Sequence, residues 1–395
     1  MHNRSMEWQD LMAKKSEGEQ APQVPSSKKT RRAIVALAVF ALVLTGFLVM
    51  PTGCLIYRPG PTVNVLGSQG ETVVLEFSSD PDDPTLPVQR EMFEGDGELR
   101  MVTVSESGGP GNGKVRGAEL VQAWFEPGSS ILKYSDVYDK GVTAEEVEQA
   151  SAAQMTSSHS TAAIAAMDYL GIPMESELTV VGVVPGSGAE GAVEEGDVLV
   201  SLEDPSGTVH QLDRPSAPFT VVKRIAPGSK VLLTVLRDGK EVTVPITTSG
   251  PEEGESFEGS KMGIYLDVNT ELPIDVTIHL EKVGGPSAGL AFALGIIDEL
   301  TEGGTTGGES IAATGSLSFA GDVVPIGGVK QKMYGALRDG SKWFLVPADN
   351  CDSVVGNEPD GLRVVPVKTL SQAADALSAI AAGDGNGLPV CEAQS

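Results

Sequence analysis

Basic side chains are scarce in this sequence beyond its first 32 residues. Residues 33–395 carry 21 Lys or Arg against 50 Asp or Glu, whereas residues 1–32 carry seven against four. A body this acidic repels nucleic acid phosphates and anionic lipid surfaces, so nucleic acid is excluded as a partner. The apolar content of 41% excludes general disorder, and 395 residues are enough for two or three domains with their own cores.

Cysteine is scarce as well, with three residues in the chain. In an oxidising compartment Cys351 and Cys391 would close a loop of about 40 residues, worth roughly 4 kcal/mol in the chain-entropy model. Two free cysteines are the alternative. Cys54 ends the sequence Pro51-Thr52-Gly53-Cys54, which hints at a lipoprotein cleavage box except that proline stands where a branched apolar residue is expected.

Charged residues are absent from Ala33 to Met50, and Cys54, Leu55 and Ile56 can extend this apolar run. Its length can cross a hydrocarbon core of about 30 Å. Four basic residues precede the run and an acidic body follows it, so the positive-inside rule predicts a membrane anchor with the body outside the cytoplasm. A cleaved signal peptide is the alternative, although the leader before the run is long and no small-x-small site follows.

The order of elements between residues 170 and 248 resembles a PDZ domain of the bacterial kind. A strand and a Pro-Gly-Ser turn precede the strand Gly196–Leu202, and a short helix and a hairpin at Asp238-Gly239 follow. The resemblance implies capture of an extended peptide by β-addition, with Leu170, Gly171 and Ile172 in the loop that holds its C-terminal carboxylate. Alternatively, Gly171 only ends the long helix that a capping box at Thr143 begins.

Ser287 lies between glycines, in Gly285-Pro286-Ser287-Ala288-Gly289, at the start of an apolar helix. The glycines let another backbone approach the hydroxyl, and amides here, those of Gly285 and Ser287 among them, could stabilise an oxyanion. The motif fits G-x-S-x-G, but α/β-hydrolases with that motif need a histidine after the serine, and all four histidines precede Ser287. A helix cap is the alternative role for this serine.

A neutral lysine can activate a serine, provided that burial lowers the pKa of its amine. Lys330 follows Pro325-Ile326-Gly327-Gly328-Val329 at the start of a predicted helix, beside small residues. We expect Lys330 to be the base. Lys332, two positions on, is expected to point to the other face and to be solvated.

Three motifs resemble the proteolytic domain of Lon proteases: Gly285–Gly289, Thr314-Gly315 and Pro325–Lys332. The resemblance is strong from about Met262 to Asn350, and it implies a catalytic dyad of Ser287 and Lys330, 43 residues apart. It also implies that Thr314 orients the lysine amine, with a strand-end threonine as the alternative, and that the protein forms a ring-shaped homo-oligomer.

An upstream segment, Gly97–Lys114, resembles the first strands and hairpin loop of the same domain, which makes the PDZ segment an insertion. The sequence departs from the family at Gly284, where an acidic residue is frequent, and no ATPase module precedes the domain. The loop Gly108–Lys114 matches a phosphate-binding pattern but continues into Val115 instead of a Mg²⁺-binding hydroxyl. No nucleotide is therefore expected.

The sequence thus predicts an α/β (α+β) Lon-type proteolytic domain with an inserted, mainly β PDZ domain and an N-terminal transmembrane helix. The predicted boundaries are a disordered cytoplasmic tail (1–32), a transmembrane helix (33–56), the N-terminal part of the protease domain (57–168), the PDZ domain (169–250), the C-terminal proteolytic domain (257–385) and a tail (386–395).

The predicted function is that of an ATP-independent, membrane-anchored serine endopeptidase. Its substrates would be extracytoplasmic or membrane-surface polypeptides, unfolded or with free C-termini, that the PDZ domain selects. Neither a cofactor nor a metal is expected. The alternative is a catalytically inactive PDZ scaffold that binds peptides at the cell surface.

Overall fold

The computed structural model describes residues 28–79, 97–251, 259–280 and 283–392. The predicted tail up to residue 27 lies outside the described residues. The helices are α1 (Lys28–Val49), α2 (Gly117–Phe125), α3 (Ala144–Tyr169), α4 (Ala217–Lys223), α5 (Gly289–Glu299), α6 (Val329–Arg338), α7 (Cys351–Val354) and α8 (Leu370–Ala381).

The strands follow the alternating segments of the sequence. They are β1 (Cys54–Asn64), β2 (Ser68–Gln69), β3 (Thr72–Val73), β4 (Leu75–Ser79), β5 (Glu98–Ser107), β6 (Ser130–Lys133), β7 (Glu175–Val183), β8 (Val198–Glu203), β9 (Val209–Gln211), β10 (Lys230–Arg237), β11 (Lys240–Thr247), β12 (Ile264–Glu271), β13 (Ile274–Ile278), β14 (Ser310–Ala313), β15 (Ser316–Leu317), β16 (Val323–Val324), β17 (Trp343–Pro347) and β18 (Arg363–Val367).

The apolar run forms α1, whose segment Thr30–Val49 is long and apolar enough to cross a membrane. A signal sequence near the N-terminus would satisfy the same criterion. The helix ends at Val49, because Pro51 has no N–H and its ring clashes with a helical backbone. The predicted extension of the span to Ile56 is therefore wrong: Leu55 and Ile56 belong to β1 and are fully buried.

The main sheet has the strand order β18-β17-β14-β5-β1-β6. The pairs from β18 to β5 are parallel, whereas β1 pairs antiparallel with both β5 and β6. Successive side chains of β17 point to opposite faces: Leu345 packs in the core with α3, α5 and α8, while Phe344 and Val346 pack with α6. The result is a mixed sheet covered by helices on both faces, as predicted for an α/β chain.

A second sheet has the order β11-β10-β8-β7-β12, and β9 pairs with the C-terminal half of β8. It has a separate core, to which α4 contributes Val222. Strands that precede this unit and strands that follow it share the main sheet, so the chain leaves the main sheet and returns to it.

The second sheet differs from its predicted extent at one strand. The segment Met262–Val268 was expected in the C-terminal proteolytic domain, but β12 pairs with β7 along its whole length. Ile264, Leu266 and Val268 alternate toward the second core, and this apolar face accounts for the placement.

Short elements complete the framework around the main sheet. β13 pairs with β4 and leads toward Ser287. A disulfide joins Cys351, at the start of α7, to Cys391, while Cys54 is free. The loop Gly108–Lys114 connects β5 to α2, so its predicted position inside a strand hairpin is wrong.

Candidate active site

The segment Val283–Ala288 carries Ser287 into a cleft, and α3 holds it in place. The Gly285 amide donates to the Ser151 carbonyl at 3.1 Å, and the Ser158 hydroxyl donates to the Pro286 carbonyl at 3.2 Å. Gly285 has a φ of +86°, a conformation that favours glycine. A Cβ at Gly284 would lie 2.0 Å from the Ser151 hydroxyl oxygen, so a side chain at this position would require that part of α3 to move.

Ser287 does not cap the helix that follows it. The N-cap of α5 is Ala288, whose side chain makes no capping hydrogen bond. The carbonyl of Ser287 accepts two hydrogen bonds, from the Thr314 hydroxyl at 3.0 Å and from the Gly315 amide at 2.9 Å. The backbone of the serine is therefore fixed, and the partly exposed residue lines the cleft.

Lys332 lies in the same cleft as Ser287. Only 3% of its surface is exposed, and burial lowers the pKa of its amine from 10.5 to about 7. A neutral amine is thus available near neutral pH. This contradicts the expectation that Lys332 is solvated, and the reason is the helical pattern of α6: Val329, Met333 and Ala336 form the buried stripe, and Lys332 falls on it.

Lys330 lies outside the buried face of α6 and is only half-buried. It is absent from the lining of the cleft, so the structure does not bring it together with Ser287. The predicted pairing of Ser287 with Lys330 is accordingly replaced by a proposed pairing with Lys332. The signal was present in the sequence, since apolar residues at positions 329, 333 and 336 select position 332 and not 330.

Thr314 connects the lysine to the serine segment. It is fully buried, accepts a hydrogen bond from the Lys332 amine at 3.2 Å and donates to the Ser287 carbonyl at 3.0 Å. The resemblance to Lon proteases implies that Thr314 bonds a lysine amine. The structure gives it that bond, with Lys332 as the partner.

The cleft has a volume of about 700 Å³, and β5 forms one wall. β14 pairs with β5 only as far as Met101, while β5 continues to Ser107. Val102–Glu106 line the cleft beyond the end of β14, and no described strand pairs with β5 on that side. An extended chain could hydrogen-bond to this edge beside Ser287.

Two amides near the nucleophile are candidates for stabilising an oxyanion. Among the described residues, no backbone carbonyl accepts from the N–H groups of Ser287 and Ala288. The Gly285 amide, also predicted as a donor, is already bonded to Ser151 and points into α3. The Gly285 amide is therefore not available to stabilise an oxyanion.

No described histidine lines the cleft. His159 packs edge-on against Phe292, and burial lowers the pKa of its imidazole. His210 lies 3.1 Å from Asp204 in the second sheet, and His279 lies 2.6 Å from Glu76. These contacts agree with the expectation that the histidines are structural.

The loop predicted to hold a peptide carboxylate ends α3. The amides of Leu170, Gly171 and Ile172 donate to carbonyls of the last helical turn, and Gly171 has a φ of +70°. Gly171 thus forms a left-handed C-cap of α3, which is the alternative role predicted for it. Its amides have intramolecular acceptors, so the structure does not present them as a carboxylate site.

Residues 263–378 match the C-terminal proteolytic domain of Lon proteases (S16). Lon protease from Azospirillum brasilense is 37% identical over 103 residues, which is 24% of this chain and 12% of the relative. An archaeal Lon protease from Archaeoglobus fulgidus is 36% identical over 106 residues, or 26% of this chain and 17% of the relative. The predicted resemblance to Lon proteases is confirmed for this segment.

The match spans 12% to 17% of these relatives, so it concerns their proteolytic domain alone. Among solved structures, the PDZ domain of an SdrC-like protein from Listeria monocytogenes matches 22% of this chain and 85% of that domain, with 14% identity and a TM-score of 0.19. The Lon match supports a serine peptidase, and it includes Ser287, Thr314 and Lys332.

Proposed function

We propose that the chain is a serine endopeptidase that uses Ser287 as nucleophile and Lys332 as general base. The observation that carries this proposal is a buried lysine with a lowered pKa in the cleft that holds Ser287, linked to it through Thr314. The neutral amine takes the hydroxyl proton, and the serine oxygen attacks the substrate carbonyl. The ammonium then gives its proton to the leaving amine, and water hydrolyses the acyl-enzyme.

Extended polypeptides are the proposed substrates. The free edge of β5 offers backbone groups at Val102–Glu106, and a chain that pairs there would pass Ser287. Folded proteins cannot present a strand in this way, so loose tails and unfolded segments fit best. Val115 stands where a nucleotide site needs a hydroxyl, which favours proteolysis without ATP.

A serine-reactive phosphonate tests the nucleophile directly. We expect it to label the full-length protein at one residue, Ser287, and to leave the Ser287→Ala variant unlabelled. Cleavage of an unfolded protein such as casein should disappear in the same variant and proceed equally with or without ATP in the wild type. Labelling that persists in Ser287→Ala would exclude the proposed nucleophile, and a wild type that neither reacts nor cleaves would favour the inactive scaffold.

The proposed anchor is α1, with the catalytic body outside the cytoplasm. α2 supports the anchor, although not its orientation, because its first residue, Gly117, donates to the Met50 carbonyl at the end of the apolar helix. Trp124 and Phe125, at the far end of α2, are each 78% exposed. Exposed aromatic residues this close to a membrane exit are typical of the bilayer interface.

Tryptophan fluorescence tests whether α2 contacts lipid. The full-length protein, reconstituted into bilayers that contain brominated lipids, should lose part of its emission by quenching of Trp124. The Trp124→Phe variant should lack that quenched fraction, since the other two tryptophans are Trp8 and Trp343. Equal quenching in both proteins would show that Trp124 lies away from the bilayer, whether or not α1 spans it.

A further inference from the structure

The outer edge of β7 is occupied by another segment of the same chain. β12 runs antiparallel to β7 through eight residue pairs, from Ile264 opposite Val183 to Glu271 opposite Glu175. A peptide bound by β-addition would form the same ladder. The edge is therefore closed in this structure.

The segment before β12 also lies against α4. The amide and the hydroxyl of Ser260 both donate to the Val222 carbonyl at 3.1 Å, at the end of that helix. Ile264, Leu266 and Val268 then pack on the core that contains Val222. β12 thus fills the groove between β7 and α4, with every second side chain pointing into it.

The direction of β12 shows which kind of peptide fits the groove. Its C-terminal residue, Glu271, lies opposite Glu175, close to the turn that follows α3. The chain does not end there but continues through Leu272 into β13. The amides of Gly171 and Ile172 bond to carbonyls of α3, so they are not available to bind a peptide carboxylate. The groove therefore fits an internal segment of a chain, which has no free carboxylate.

We propose that the groove between β7 and α4 is a peptide site with β12 as its internal ligand. It admits an external chain only when β12 leaves, and the chain it admits is an extended internal segment with branched aliphatic residues at alternate positions. This inference rests on the peptide-selecting part of the proposed function and is independent of the catalytic pair. It replaces selection of free C-termini.

Competition with β12 sets the expected affinity. A tethered strand has an effective concentration of about a millimolar or more, so an external peptide of equal intrinsic affinity binds far more weakly. Weakening the packing of β12 should therefore raise the affinity for external peptide, although the variant loses native contacts. A merely structural strand would give the opposite result, since its loss would damage the unit without opening a site.

The experiment uses the peptide GIYLDVNTE, residues 263–271, labelled with fluorescein and amidated at its C-terminus. Binding is measured by fluorescence anisotropy on the full-length Ser287→Ala protein, which cannot cleave the probe. We expect weak binding, and roughly tenfold tighter binding after Leu266→Ala is added. A probe with serine in place of its leucine and valine should not bind, and a free-acid probe should bind no better than the amide.

A disulfide between β7 and β12 provides the matched control. Thr179 and Asp267 are register partners, and Cα atoms of antiparallel partners lie about 4.5–5.5 Å apart, within the range that a disulfide spans. Oxidation of Thr179→Cys/Asp267→Cys should abolish binding and reduction should restore it, while the protein without added cysteines is unaffected. Oxidation of this disulfide would not change the binding of a probe that lies in the catalytic cleft.

Three results would overturn the inference: probe binding that oxidation of the added disulfide leaves unchanged, no increase in affinity with Leu266→Ala, or clearly tighter binding of the free-acid probe than of the amide. Casein cleavage by the corresponding proteins with Ser287 intact is measured in parallel. Cleavage without probe binding would reject the groove while the proposed peptidase stands. Probe binding without cleavage would reject the peptidase alone.

Discussion

Lys332→Arg is expected to abolish peptidase activity, whereas Lys330→Arg should leave it close to that of the wild type. A guanidinium keeps the positive charge but cannot lose a proton near neutral pH, so it cannot act as a base. Lys330 is half-buried and absent from the cleft, and arginine there changes nothing near Ser287. Loss of a general base typically costs about 10²–10⁴-fold in rate, which kcat/KM for an unfolded substrate would report.

The Lys332→Met variant distinguishes a loss of catalysis from a loss of folding stability. Methionine fills a similar space without a charge. Burial lowers the pKa of the Lys332 amine from 10.5 to about 7, so this lysine destabilises the folded state increasingly as the pH falls from 10.5 to 7 and by a constant amount below 7. The Lys332→Met variant should therefore be inactive yet melt at a higher temperature than the wild type, with a larger difference at pH 7 than at a more alkaline pH. An active Lys332→Met or Lys332→Arg enzyme would show that the base is another residue.

Local sequence signals identified the nucleophile segment better than its partner. Ser287 stands out through the glycines around it, and these are the residues that permit the contacts with α3. The prediction for the base differs from the proposed one because Lys330 was chosen for the small residues beside it and Lys332 was placed on the solvated face of the helix. The register of α6 decides between them, and the apolar pattern from Val329 to Ala336 records that register.

The groove between β7 and α4 could not be predicted in the same way. β12 follows the second sheet in sequence, and its alternating pattern fits a strand of either sheet equally well. Its partner is chosen by tertiary contacts with Val222 and with the edge of β7, which no local propensity contains. The end of α1 at Val49, by contrast, follows from Pro51 alone, although the predicted span extended to Ile56.

The pH dependence of cleavage follows from the burial of Lys332. The neutral amine of Lys332 is the form that can act as the base. Because its pKa is about 7, the ammonium loses its proton near neutral pH. We expect kcat/KM to rise about tenfold for each pH unit below 7 and to level off above it. Activity at pH 5 should thus be about 100-fold below the plateau, while circular dichroism checks that the protein stays folded.

Thr314→Val should move that acidic limb to lower pH. The threonine hydroxyl accepts a hydrogen bond from the Lys332 amine at 3.2 Å, and such an acceptor stabilises the ammonium more than the neutral amine. Valine removes the acceptor at nearly constant volume, so the pKa of the lysine falls further and the limb shifts with it. The plateau should drop as well, because the amine loses its orientation. A histidine base would give a limb in the same pH range, but Thr314 contacts no described histidine, so a limb that Thr314→Val leaves in place would point away from Lys332.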